Sequence, residues 1–176
     1  MALLSFRKSI GDAIVTVLNG DADLQVVFDQ TDSGKFKYRK HPLASLEKSW
    51  LDGAFVCPRA KRAGQHENST HEYVYRYLVA MSFPTDRSNT ENMEQHEAAI
   101  ERVEEIFEYK SHRLMPATIR NLAATWASAG RSASVQKTDI EYLDPYMEAA
   151  FRAGYDVIGC TVAVTVLKTP FNSESL

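Results

Sequence analysis

With 176 residues and 44% hydrophobic side chains, the chain suits one domain with a sizeable core. Its 20 Lys and Arg against 23 Asp and Glu give a net charge of −3, which excludes a globally basic nucleic-acid binder and leaves only local basic surfaces. No apolar run nears the roughly 18 residues of a membrane span, and the start Met-Ala-Leu-Leu-Ser-Phe-Arg-Lys lacks the apolar stretch of a secretory signal, so a soluble, cytoplasmically made chain with no membrane partner is expected.

Leu3, Phe6, Ile10, Ala13, Ile14 and Val17 recur at spacings of three and four, which predicts a core-facing helix over Leu3 to Leu18. Ser5 or Ser9 is its candidate cap, and Asn19-Gly20 ends it. Leu24 to Phe28 reads as a short strand and Asp29 to Gly34 as a turn. Phe36 and Tyr38 then alternate with Lys35, Lys37 and Arg39, giving an extended segment with one aromatic and one basic side, closed by His41-Pro42. Leu43 to Leu51, with Leu43, Leu46 and Trp50 on one side, reads as a short helix, and Asp52-Gly53 as a turn.

Ala54 to Cys57 is predicted as a strand closed by Pro58. Arg59 to Thr70 is polar, aperiodic and opens with three cations, Arg59, Lys61 and Arg62, so a long projecting hairpin loop is expected over residues 59–70. Tyr73, Tyr75, Tyr77, Val79, Met81 and Phe83 alternate with Val74, Arg76, Leu78, Ala80 and Ser82, a strong strand that Pro84 ends. Tyrosines in a row on one face suit core aromatics, or a core rim or subunit interface.

A second long helix is predicted from Asn89 to about Tyr109. Met93, Ile100, Val103 and Phe107 form its apolar stripe, widened by Ile106. Glu94, Glu97, Glu101, Glu104 and Glu108 form an acidic stripe beside it. A solvated face is the ordinary meaning of such charges. Repulsion between like charges three and four apart also suits a surface that meets a basic partner. Ile119, Leu122 and Trp126 have helical spacing after Pro116, Ala133 to Ile140 suits a strand, and Asp144-Pro145-Tyr146 opens a turn. The run Ile158 to Val166 has period two with β-branched residues on both faces, which marks a long, buried, central strand. Lys168 opens a loose tail. The fold class is therefore α+β: one domain over 1–168, a mostly antiparallel or mixed sheet of about four to five strands, two main helices packed on it, and a flexible 169–176.

Chemistry is sparse. The sequence contains no Gly-rich phosphate loop, nucleophile elbow, His-Glu-x-x-His or Cys-x-x-Cys. Cys57 and Cys160 read as buried free thiols. His66 and His71 lack a third ligand at metal-binding spacing. His96 sits at the border of the Glu-rich helix. Asp52, Glu72 and Lys61 would make a nuclease-like set only in the wrong order. No enzyme, cofactor or metal is expected.

In chain order stand an amphipathic helix, a strand ending Val56-Cys57-Pro58, a long hairpin with tyrosines on its return, a Glu-rich helix containing Val103-Glu104-Glu105-Ile106, and Asp144-Pro145-Tyr146 before a closing Val-x-Val-x-Val strand. Over Leu3 to Lys168 that order resembles small tail-terminator and tail-completion (neck) proteins of tailed bacteriophages. The resemblance implies an α+β virion subunit, assembled in the host cytoplasm, that closes into a homo-oligomeric, hexameric ring at the head-proximal end of the tail. Such a ring caps the tail tube, stops its polymerisation and docks the head connector, with DNA near its lumen. It implies no catalytic residue.

A ring needs two different, complementary patches on each subunit. The basic candidates are Lys35, Lys37, Arg39 and Lys40, and also Arg59, Lys61 and Arg62; the acidic ones are Glu94, Glu97, Glu101, Glu104 and Glu108, with Trp50, Tyr73 and Tyr75 as apolar anchors. Arg59, Lys61 and Arg62 are the candidate contact with tube or lumen. The rivals are another neck or tail protein (stopper or tube subunit), a single-stranded nucleic-acid module stacking bases on Phe36 and Tyr38, and an enzyme.

Overall fold

The computed structural model describes residues 5–27, 36–38, 53–65, 70–84, 90–141 and 155–169. Helix α1 (Phe6–Gly20) begins and ends later than the expected Leu3 to Leu18, and Ser5, one of the two candidate caps, closes its start, its hydroxyl accepting a hydrogen bond from the Lys8 N–H at 3.2 Å. Its apolar stripe buries Ile10, Ala13, Ile14 and Leu18, each fully buried side chain contributing about 1.5–3 kcal/mol. Helix α2 (Ala22–Val27) replaces the strand expected from Leu24. The Asp21 carboxylate accepts the N–H groups of Asp23 and Leu24, each at 3.1 Å, and so caps this helix. A five-residue apolar run has no period long enough to tell helix from strand, and the cap decides.

Strand β1 (Lys37–Tyr38) is short, and Phe36 before it is held by Asn19, whose side chain bonds both the N–H and the carbonyl of Phe36, at 3.0 and 2.9 Å. Strands β2 (Gly53–Gln65) and β3 (His71–Pro84) form an antiparallel hairpin. Thus the loop expected over 59–70 is largely strand. Pro58 does not close β2, because the register shifts between Pro58 and Lys61 and this bulge accommodates the missing N–H. Beyond Val56, β2 has no β1 partner among the described residues.

Helix α3 (Thr90–Phe107) buries Ala99, Ile100, Val103 and Phe107. After β4 (Lys110–Ser111), the short helices α4 (Ala117–Arg120) and α5 (Leu122–Ser128) bury Ile119, Leu122 and Trp126, the helical spacing read from sequence. Strand β5 (Ala133–Glu141) follows, and β6 (Tyr155–Lys168) closes the chain's described part. The expected turn over Asp29 to Gly34, the helix over Leu43 to Leu51 with Trp50, the basic residues Lys35, Arg39 and Lys40, His41, His66 and Asp144-Pro145-Tyr146 all lie outside the described residues.

The fold is α+β with a mixed sheet. Among the described residues six strands run β1-β2-β3-β6-β5-β4, one more than the upper expectation. Only the β1/β2 pair is parallel. Strand β6 is central as read, paired with β3 on one edge and β5 on the other. Cys160, Val162, Val164 and Val166 face the main core under α1, α3 and α5, together with Tyr75, Tyr77 and Val79. Thr161, Ala163 and Thr165 are buried on the opposite face, as are Phe55, Cys57, Leu78 and Ala80. Cys57 and Cys160 are free, buried thiols. Across the second face Arg76 reaches over small Ala163 to clamp Glu141, with N···O distances of 2.6 and 2.8 Å, tying β3 to β5. No helix among the described residues is long and apolar enough to cross a membrane.

Gly159 is required where β6 passes β3. A Cβ there would lie 2.5 Å from the Val79 carbonyl oxygen and 2.8 Å from the Ala80 side chain. Backbone at that distance cannot yield. Gly159→Ala is therefore expected to destabilise the chain by about 1–3 kcal/mol in urea unfolding. Gly64→Ala, whose added Cβ would meet nothing closer than 3.9 Å, should leave the midpoint nearly unchanged.

Candidate functional site

Where β2, β3 and β6 run side by side toward the hairpin tip, lysines and aromatic rings gather on the main-core side of the sheet. Lys61 pairs with Tyr75 in the β2/β3 ladder, and Lys168 pairs with His71 in the β3/β6 ladder. The Lys61 ammonium lies 3.9 Å from the Tyr73 ring centroid and 5.4 Å from that of Tyr75. Lys168 sits 3.8 Å from the Phe6 ring, 4.6 Å from Tyr73 and 5.0 Å from Tyr75, and donates a hydrogen bond to the Tyr75 hydroxyl. Each cation–π contact contributes about 0.5–2 kcal/mol, more as water is excluded. Phe6 is itself fixed edge-on against buried Trp126, at 4.7 Å between centroids. Tyr77, next in the row, donates its hydroxyl hydrogen to the Arg7 carbonyl at 2.7 Å.

This cluster is cationic and partly desolvated. Burial, then Lys61, then Arg131 push the Lys168 amine down to about 8. Burial, with Arg7 adding to it, lowers Lys61. Burial pushes the Tyr75 hydroxyl up to about 12. Among the described residues neither lysine has a carboxylate partner in an ion pair. Rings therefore stabilise the two ammonium groups in place of counter-charges.

The acidic stripe is on α3, which packs on β5 and β6. Glu94, Glu97, Glu101 and Glu108 are exposed and Glu104 is half-buried. None of the five forms an ion pair among the described residues. Burial, then Glu108, then Glu101 raise the Glu104 carboxyl. Burial and Glu104 together push the Cys160 thiol up to about 12. The one cation within the helix faces elsewhere: Arg102 bonds Asp21 at 3.0 Å and Glu105 at 2.8 Å and lies 3.3 Å from Asp23. Burial pushes the Asp21 carboxyl up, but Arg102 and the capped N–H groups of Leu24 and Asp23 outweigh it and hold it low. Arg102 thus ties α3 to the α1/α2 corner and leaves the stripe unneutralised.

Sequence reading and structure part company at several of these residues. Arg59, Lys61 and Arg62 belong to strand β2 and not to a loop, and alternation divides them: Lys61 opposes core-facing Tyr75, whereas Arg62 opposes Val74 on the other face. Tyr75 is only 4% exposed and packs within its own subunit, so it is no free anchor, whereas Tyr73 is half-buried at the core rim. Lys37 is exposed as read, but Phe36 is buried and Tyr38 lies against Gly11, which removes the proposed stacking pair for bases. Lys168, read as the start of a tail, ends β6 inside the cluster. Tyr109 and Leu114, both 72% exposed, are large side chains at the surface that the sequence pattern did not single out. The signal for Tyr109 was its place one residue past the acidic stripe, where a helix C-terminus takes a left-handed residue; its φ is 37°.

The depressed Lys168 amine has a signed consequence. Between pH 8 and the ordinary lysine value near 10.4 the folded state binds fewer protons than the unfolded state. The unfavourable contribution of this buried charge is thus complete below pH 8 and is relieved as pH rises through that window. The raised Tyr75 acts oppositely, but only above about pH 10, where unfolded tyrosines ionise. Stability measured from pH 8 to 10 should rise less in Lys168→Met than in the parent chain, and the Lys168 amine should titrate near 8 by NMR. A Lys168 midpoint above 10 would contradict the desolvated cluster.

No protein-family model matches the chain, and no curated protein matches it.

Proposed function

We propose that the chain is a structural subunit of a tailed-phage neck, closing into a homo-oligomeric ring that terminates the tail tube and meets the head connector. The observation that carries this reading is the separation of two oppositely charged surfaces on one rigid sheet. Lys61 is on β2, whereas α3, which carries the glutamates, packs on β6 and β5, two to three strand spacings away, or about 10–14 Å. Along β6, Cys160 beside Glu104 and Lys168 are eight residues apart, about 26 Å. Both distances exceed the Debye length of about 8 Å in physiological salt, so neither patch neutralises the other. Two unlike, separated patches on each subunit are what a heterologous, ring-closing interface requires. The tube protein and connector then meet the two rims of the ring, and its work is done by surfaces and not by a reacting centre.

A second reading, binding of single-stranded nucleic acid, moves from the Lys35 to Lys40 segment to the lysine–tyrosine cluster, where cations and rings occur together. It predicts binding to single strands that weakens steeply with salt.

The ring reading is tested by light scattering over a range of concentrations, followed by imaging. Closed particles of about six subunits that come apart in 1 M salt are the expected outcome, since the Debye length there falls to about 3 Å. A mass equal to one chain at every concentration would count against it.

A further inference from the structure

We propose that the Lys61–Lys168 cluster is the docking site for the acidic face of α3 on a second copy of the same chain, with Tyr109 of that copy as the apolar anchor. The inference deepens the ring reading by naming its interface, and it rests on that reading only for the number of copies.

Charge complementarity selects the occupant. Glu97, Glu101, Glu104 and Glu108 crowd one helix face without an ion-pair partner among the described residues, and Lys61 and Lys168 stand toward the hairpin end of the sheet without one. The hydrogen-bonded sheet, with α3 packed on β5 and β6, holds these two groups apart among the described residues, and a neighbouring copy can bring them together. Because the two patches differ, each copy offers one of each, and the contact propagates head to tail.

The receiving side is already ordered. Lys61 is exposed, yet its ammonium is held over Tyr73, so less side-chain freedom is lost on contact than for an unrestrained lysine. On the incoming side, Tyr109 follows Glu108 directly and is 72% exposed, with a ring that is apolar in body and polar at its tip. Leu114, equally exposed, lies just beyond β4. Aromatic anchors beside charged groups are the usual energetic centre of an interface, the charges setting register. Nucleic acid fits the same cluster less well. The Tyr73 ring already carries Lys61 at 3.9 Å and Lys168 at 4.6 Å, so a stacking base competes with an ammonium group, and the acidic face is left without a role.

The test uses exposed positions, with thermal unfolding to verify that each variant is folded. Lys61→Glu alone, and Glu97→Lys with Glu101→Lys, should each raise the concentration for half-assembly at least tenfold. The triple variant, with both charges exchanged, should recover assembly. An equimolar mixture of the two single-patch variants should also recover assembly, with the two chains alternating, because each reversed face meets its complement on the other variant. Particles indifferent to all these changes would overturn the pairing while leaving the ring intact. A parent chain that halts as a dimer, sensitive to both charge reversals, would uphold the pairing and defeat the ring. Loss of salt-sensitive single-stranded DNA binding in Lys61→Glu, with assembly unchanged, would overturn the pairing and assign the cluster to nucleic acid.

Discussion

The molecule depends on the double pairing of β6. Its backbone is bonded along one edge to β3 from Tyr155 to Lys168 and along the other to β5 from Thr161 to Lys168. A strand bonded on both edges and buried on both faces has no freedom to slip, since a shift of one residue would move Val162, Val164 and Val166 out of the core and bring threonines in. Gly159 adds a local constraint, because only a residue without a Cβ lets the strand pass Val79 and Ala80 at their observed approach. What hangs on β6 inherits this rigidity: α3 on one side, the lysine–tyrosine cluster at the end.

Rigidity gives the charges their meaning. Surface ion pairs contribute little when side chains can drift and find other partners. Here the charged groups are fixed at positions from which they cannot meet. Arg102 shows the contrast, for it finds Asp21, Asp23 and Glu105 within its own chain and serves the fold. Arg76 and Glu141 do likewise across the second face. The stripe on α3 and the two lysines find no such partners among the described residues. Charges satisfied inside the subunit hold it together, and charges left over mark the flanks on which it can meet another molecule.

The parts of the fold legible in the sequence were those where a long period met a clear cap. Strand β6, strand β3 and helices α1 and α3 each carry nine or more residues of unbroken pattern, and Ser5 caps α1 as read, whereas the helix runs through Asn19-Gly20 to a cap at Asp21. Helix α2 was misread because its identity rests on two hydrogen bonds to Asp21. The second half of β2 was misread because Arg59 to Gln65 has weak strand character of its own. Its conformation is imposed by the ladder to β3, a tertiary effect that local composition does not record.

The candidate site was half legible for the same reason. Glu97, Glu101 and Glu104 share a helix face by spacing alone, so the acidic surface was readable. The basic surface was not, because its members come from three strands and one helix: Lys61, Tyr73, Tyr75, Lys168 and Phe6 become neighbours only through register. Alternation could place Tyr73 and Tyr75 on one face, but not beside a lysine ninety-odd residues later. Register also corrects the role of the tyrosines. Tyr75 and Tyr77 belong to the subunit's own core, and Tyr73, at its rim, is where core packing passes over into surface. A ring at such a rim can hold a cation for a neighbour because its other contacts are already fixed, which joins the stability of the strand to the specificity of the surface.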